Sequence, residues 1–495
     1  MGCGTSKKSF KDVSPTKVVQ KEVKLSNNVA SATPSSKNQE QQISSQKKPE
    51  ISKPQQPQSK NPSSAQKSAK EEKSLEPAKK AAASPVPAEN SKKLLNSHEV
   101  PQKGHGETSI DGHLSEGIRS NKANLNNTYE ALKDRSPQPC TLGDAQGVAM
   151  AFYEPGTTLS PLPFRHPELL DREIRINVTH VGCCQGDVLW GTQAFFPGVH
   201  YPLVPGHEIV GIIDKVGEKV TKYQPGDKVG FGVWRDCCEQ YDSCLHCRTG
   251  NENSCSKRVG TYDPHFGGYA TSFQAKGNFF YKLDDSFPGE AAPLFCAGMT
   301  VFPPLQKDVV GGMKVGVVGI GGLGHLALKF ARAMGTEVTA ISTSSSKETD
   351  AKEFGAHHFI NLKDEKQVKN GIGSLDYIIN TATSYDIGQC CSLLKPRGTL
   401  NLCGAPTAGE NLNFNLLQIL INQQRIQASL VGSRLDGEAM LDFVRIKNIY
   451  PTVEVYKFAD VQNAINSLAF GNPHYPNYRA VLEMGSFMKT FTPAN

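Results

Sequence analysis

Apolar and polar positions along the 495 residues fall into regular patterns only after about residue 140. Hydrophobic patterning begins at residues 148–153, and after a Gly/Pro-rich loop residues 173–181 (EIRINVTHV) alternate apolar with polar side chains, the period of a half-buried strand. Further on the pattern changes. Residues 315–318 (VGVV) form an unbroken apolar run that predicts a buried parallel strand. Residues 325–334 place Leu326, Ala327, Phe330 and Ala331 at helical spacing. A second strand is predicted at 337–341 (EVTAI), a helix starts near Lys347, and further strands cover 359–362 and end at 402–406 (LCGAP). Residues 1–100 show no period. They hold a single aromatic, Phe10, among Ser, Lys, Gln, Pro and Ala, too little apolar surface to offset the entropy of ordering the chain. The expectation is a disordered tether through residue 138, with at most brief helix near 124–133.

Between the first apolar run of the later half and its helix lies GIGGLG. Gly319 permits a tight turn, Gly321 lets the backbone approach a phosphate, and Gly324 lets helix and strand pack closely. The positive helix end then faces a pyrophosphate, with Gly322 and Leu323 in the same turn. At the end of the next strand, where an acid would hold a ribose 2′-hydroxyl, stand Ser342, Thr343, Ser344 and Lys347. Hydroxyls and an ammonium favour a 2′-phosphate, hence NADP(H) over NAD(H).

Charge changes the picture only for the tail. Residues 1–140 carry 23 Lys and Arg against 14 Asp and Glu, whereas the remainder carries 31 against 34, so the net +6 belongs to the tail and gives no support to nucleic-acid binding by the folded part. No apolar run reaches the ~20 residues of a membrane span, and no signal-peptide core follows Met1. The chain is expected on the cytosolic side, where 13 cysteines point to metal rather than disulfides. The start, MGCGTS, matches an N-myristoylation signal on Gly2, with Cys3 as a palmitoylation site and Lys7, Lys8 and Lys11 as a basic cluster. One myristoyl chain binds membrane at only about 10⁴ M⁻¹, so the second signals are what make a stable anchor.

Two sets of metal-ligating residues emerge. Cys184, His207 and Cys296 supply two thiolates and an imidazole, three ligands that leave a fourth zinc position open for chemistry. Cys237-Cys238, Cys244, Cys247 and Cys255 supply four thiols for a closed structural zinc, with either Cys237 or Cys238 as the first ligand.

From about Cys140 to residue 486, through PLVPGHEIVG, GDKVGFG, GGYA, APLFCAGMTVF, GVVGIGGLGHLALKFA, ISTSSSK and YRAVLEMG, the sequence resembles the zinc-dependent medium-chain alcohol dehydrogenases, in particular their cinnamyl-alcohol-dehydrogenase-like branch. The resemblance implies an α/β chain. A GroES-like, β-rich catalytic domain (139–296, completed by 441–495) receives an inserted Rossmann coenzyme domain (297–440), after the disordered tail. It implies catalytic zinc on Cys184, His207 and Cys296 with Glu208 beside the metal and Asp187 in the same site. Structural zinc is implied on Cys238, Cys244, Cys247 and Cys255, with NADP(H) as coenzyme, a small alcohol or aldehyde as substrate, and a homodimer. The expected chemistry is hydride exchange between the nicotinamide and a carbonyl polarised by the metal.

Three departures stand out. The family follows its first catalytic cysteine with a histidine and then a Ser or Thr that relays the alcohol proton; Gln185 and Gly186 stand here. Five residues rather than two separate Cys238 from Cys244, and the tail lies outside the family pattern. The missing relay keeps open a second reading, a membrane-tethered scaffold that retains the fold with little turnover. A zinc-free quinone or enone reductase is disfavoured by the intact ligand trio. His325 is expected near the coenzyme phosphates or solvated, His357 and His358 on the surface, and Cys390, Cys391 and Cys403 buried as structural thiols. Trp190, Phe195, Phe196 and Phe302 are candidates for an apolar substrate wall.

Overall fold

A computed structural model describes residues 133–195, 198–262, 266–404, 414–470 and 478–485. The lipidation signal at Gly2 and Cys3, the tail to residue 132, Phe196 and the end of LCGAP lie outside the described residues.

Two sheets organise the rest. The first has its order set by hydrogen bonds as Phe280–Lys282, Lys228–Phe231, Ile209–Val216, Glu173–Cys183, Arg479–Glu483 and Val453–Lys457, with Ser272–Lys276 also pairing with Glu173–Cys183. Its spine is Glu173–Cys183, two residues longer than the alternation predicts. Ile174, Ile176 and Val178 are buried, as the period of two requires, and a register shift between Val178 and His180 changes the phase so that Val181 is buried as well. The last strand among the described residues, Arg479–Glu483, returns antiparallel beside it, with Ala480 opposite Cys183. That register sets Arg479 next to the end from which Cys184 leaves.

The second sheet is wholly parallel, in the order His358–Asn361, Glu337–Ser342, Lys314–Val318, Leu375–Asn380, Leu394–Leu402 and Arg425–Ala428. Lys314–Val318 is the first of these strands in the chain and sits centrally. The second and third lie on one side of it and the fourth to sixth on the other, so the order reverses at its carboxyl end. Ligands of such sheets bind in the crevice at that reversal. Gly319 turns the chain there with φ +83°, and the helix Gly324–Ala333 follows. A Cβ on Gly324 would stand 1.8 Å from the Gly319 carbonyl oxygen, so the close strand–helix approach admits no side chain.

The helix Ala297–Asp308 connects the sheets. Phe302, a candidate for the substrate wall, is instead packed against Phe330 and Phe443 at 5.4 and 5.3 Å. It is fully buried core between helices. Among the described residues no helix is long and apolar enough to cross a membrane.

Candidate active site

Four donors converge where the two sheets meet. Cys184 caps the helix Gln185–Gly191: its thiol accepts from the Gly186 amide at 3.4 Å, while Asp187 accepts from the Cys184 amide at 2.9 Å and closes a capping box. The neighbouring strand begins at Ile209, opposite Val181, so His207 and Glu208 precede it beside Cys184. Cys296 stands at the start of Ala297–Asp308. One ligand atom from each of Cys184, His207, Glu208 and Cys296 lies within 4.8 Å of all the others. The His207 Nε2 is 3.2 Å from the Cys296 Sγ.

Asp187 organises this cluster from behind. Fully buried, it accepts from the Gly206 amide at 3.0 Å and the Tyr269 hydroxyl at 3.1 Å, and its Oδ1 lies 3.1 Å from the His207 Nδ1. That contact assigns the ring proton to Nδ1 and leaves the Nε2 lone pair for a metal. The Tyr262 hydroxyl lies 3.1 Å from the same Nδ1, and Trp190 meets the Tyr262 ring edge-on at 5.4 Å. Asp187 thus touches His207 and lies outside the group of four donors.

The electrostatics suit a cation. A hydrogen bond from the Cys296 thiol holds the Cys184 thiol well below its ordinary range against the opposing effect of burial, and His207 adds to the shift. Burial pushes Glu208 up to about 7, against the pull of the Arg479 guanidinium that pairs with it. The second Glu208 oxygen, Oε2, is buried with no partner among the described residues. Two sulfurs, an imidazole nitrogen and an orphaned carboxylate oxygen form a donor set that fits zinc. A Cβ on Gly186 would lie 3.4 Å from the His207 Cε1 and 3.6 Å from the Cys184 Sγ. The missing hydroxyl is therefore missing from the ligand side of the cluster.

The second thiol group also closes. Cys238, Cys244, Cys247 and Cys255 offer sulfurs within 4.8 Å of one another, and Cys238–Cys247 and Cys244–Cys255 are 3.5 and 3.9 Å apart. The enlarged loop between the first two is absorbed by Glu239, at φ +49°, whose carboxylate accepts from Lys276 and Asn278. Cys237, the alternative first ligand, is buried among apolar side chains and stands outside the group of four.

At the glycine turn no atom lies within 4 Å of where a Cβ on Gly321 would be, which leaves a cradle for a phosphate. Ser342 ends the adjacent strand, Thr343 and Ser344 follow it, and the Lys347 ammonium reaches back to donate to the Ile320 carbonyl at 2.7 Å. The polar loop and the glycine turn are thus one surface. Gly322 packs on Arg479, with a Cβ position 3.0 Å from its guanidinium, so one cation touches both the turn and Glu208.

His325 is neither solvated nor facing the crevice. It is fully buried, and its Nε2 accepts from the Thr452 amide at 3.1 Å, so its Nδ1 carries the proton and donates to the Gly321 carbonyl at 3.2 Å. His357 and His358 are exposed, and Cys390, Cys391 and Cys403 are buried free thiols. Arg479, Tyr262 and Tyr478 had no role assigned from sequence. For Arg479 a signal existed: a cation directly before the apolar run Ala480–Leu482, in a strand that is buried at four of its five positions.

Residues 170–285 match the alcohol dehydrogenase GroES-like domain, and residues 322–445 match the zinc-binding dehydrogenase domain. The chain belongs to the zinc-binding alcohol dehydrogenases. Within them it falls in the cinnamyl-alcohol-dehydrogenase-like branch. It is 34% identical to cinnamyl alcohol dehydrogenase 8 of Arabidopsis thaliana over 70% of this chain and 97% of that protein. It is 37% identical to the aldehyde reductase AdhA of Synechocystis, over 66% of this chain and 96% of that protein. The structure of CAD from Helicobacter pylori complexed with NADP(H) superposes with a TM-score of 0.63 at 32% identity, covering 69% of this chain and 98% of the other.

Proposed function

We propose that the protein is an NADP(H)-dependent alcohol dehydrogenase or aldehyde reductase, carried to the cytosolic face of a membrane by an acylated N-terminus. The observation that carries the reading is the convergence of Cys184, His207, Cys296 and Glu208 within 4.8 Å, linked by Arg479 to the glycine turn at the sheet's switch point. When bound, zinc supplies a Lewis acid for the substrate oxygen and the nicotinamide supplies or accepts the hydride. Cys184, His207 and Cys296 hold the metal, and Asp187 fixes the tautomer and orientation of His207. Cys238, Cys244, Cys247 and Cys255 hold a second zinc that supports their loop. Gly319, Gly321, Gly322, Leu323 and Gly324 receive the pyrophosphate, while Ser342, Thr343, Ser344 and Lys347 receive the 2′-phosphate. Gly186 carries no hydroxyl, so the substrate proton leaves through water rather than through a side chain at that position.

A myristoyl group on Gly2, palmitoyl on Cys3 and the adjacent lysines form the anchor. Two copies pair through the exposed Leu416, Leu417, Leu420 and Ile421 of the helix Leu416–Asn422, beside the edge strand Arg425–Ala428. The test is a panel of aldehydes with NADPH and NADH, run beside metal analysis. Two zincs per chain with aldehyde-dependent NADPH oxidation is the expected result. Two zincs without turnover favours the tethered-scaffold reading, to which Gly186 lends its one support.

A further inference from the structure

Tyr478 is the aromatic among the described non-glycine residues held in the left-handed region, at φ +73°, and such a conformation persists only where surrounding contacts fix it. Its contacts lie on the segment that follows the second parallel strand and on the glycine turn with its helix. The Lys347 ammonium stands over its ring, 5.8 Å from the centroid. Its hydroxyl donates to the Asp350 Oδ2 at 2.5 Å. The ring also meets Phe354 edge-on at 4.7 Å and His325 at 5.2 Å, and the Tyr478 carbonyl borders Gly322.

We propose that Tyr478 is a positioning residue that sets the preference for a 2′-phosphorylated coenzyme. Its ring holds the Lys347 ammonium at the glycine turn, and its hydroxyl ties down the carboxylate that would otherwise compete for that ammonium. Asp350 lies three residues beyond Lys347, the spacing at which side chains on a helical turn meet. A free carboxylate there would pair with Lys347 and repel a 2′-phosphate. A carboxylate engaged by the tyrosine hydroxyl leaves the ammonium to the Ile320 carbonyl and the ring, aimed at the crevice. The left-handed backbone is the conformational cost of turning the ring toward this loop while Arg479, the next residue, turns the opposite way to Glu208. The contact spans residues 128 apart in the chain, so no local motif announces it.

The proposal rests on the reading that Lys347 receives the 2′-phosphate, and the test separates the two. Full-length Tyr478→Leu, Tyr478→Phe, Lys347→Ala and the Lys347→Ala/Tyr478→Leu pair are compared by KM and kcat with NADPH and with NADH, with zinc content and thermal midpoint as controls of folding. Tyr478→Leu is expected to raise the NADPH KM about tenfold while leaving the NADH KM and both kcat values within about twofold, the size of a partly desolvated cation–π contact. Tyr478→Phe keeps the ring and frees Asp350, and is expected to raise the NADPH KM about threefold. The double variant should be no worse than Lys347→Ala alone. If Lys347→Ala lowers the NADPH preference but Tyr478→Leu does not, the positioning role is refuted and the phosphate site stands. If Lys347→Ala leaves the preference unchanged, the phosphate reading itself fails and the proposal with it. Equal KM increases for both coenzymes would make Tyr478 a packing residue and overturn it.

Discussion

Gly186 offers the sharpest perturbation, since the resemblance assigns that position a hydroxyl that this chain lacks. Cβ contacts of 3.4 and 3.6 Å to His207 and Cys184 are ordinary van der Waals distances, so a serine enters without displacing either ligand. Its Oγ, one bond further, stands beside the ligand atoms. Gly186 lies in the first turn of the helix Gln185–Gly191, so any Cβ also reduces the entropy lost on folding, which stabilises by roughly 0.5–1 kcal/mol. Alanine shares that gain, and only serine or threonine adds a proton path. General acid–base help contributes about 10²–10⁴-fold in full, and water recovers part of it in the natural chain. The expected increase in kcat for aldehyde reduction by Gly186→Ser or Gly186→Thr is therefore at least about tenfold, or about 1.4 kcal/mol of barrier, with Gly186→Ala unchanged. The assay is NADPH consumption under saturating aldehyde, with zinc content measured in parallel. Equal rates for Ser and Ala, with both zincs retained, would refute the assignment of this position to proton transfer.

Other outcomes follow from the same geometry. Burial holds His325 near a pKa of about 3, helped by Lys329, and burial with Arg175 and Arg235 does the same for His166, both from an ordinary 6.5. Below pH 6.5 the unfolded chain binds protons that the folded chain refuses. This contribution is whole above 6.5 and is lost as pH falls toward 3, at about 2 kcal/mol per histidine by pH 5. Denaturant midpoints against pH should show that slope, and His166→Gln should lessen it; an unchanged slope would contradict the assignment. Cys244→Ser is expected to lose one zinc of two and lower the thermal midpoint by several degrees, and retention of both metals would count against the four-thiol site. Gly2→Ala is expected to move the protein from the membrane pellet to the soluble fraction and to abolish myristate labelling. Cys3→Ser should weaken attachment to the ~10⁴ M⁻¹ of a single chain, and identical partitioning of all three proteins would remove the anchor.

The sequence by itself determined what is set by neighbours in the chain. The alternation of 173–181 specified a strand, because side chains on a pleat face opposite sides by turns. GIGGLG specified the turn, because Gly319 takes a positive φ and Gly324 occupies a place where a Cβ meets the Gly319 backbone five residues away. Cys184, His207 and Cys296 were singled out by residue type, since thiols and imidazoles are metal donors wherever they stand, but only the fold brought their donor atoms within 4.8 Å of one another. Tertiary structure alone decided the rest. Cys238 rather than Cys237 joined the four thiols, Phe302 became core, and His325 turned inward beneath the turn it was expected to flank. Arg479 came to touch both Glu208 and the glycine turn because the strand Arg479–Glu483 pairs Ala480 with Cys183, and that pairing joins residues 271 apart at Glu208. Such contacts depend on the register between distant strands and on which face of each is buried against the other, and no local run of residues encodes either.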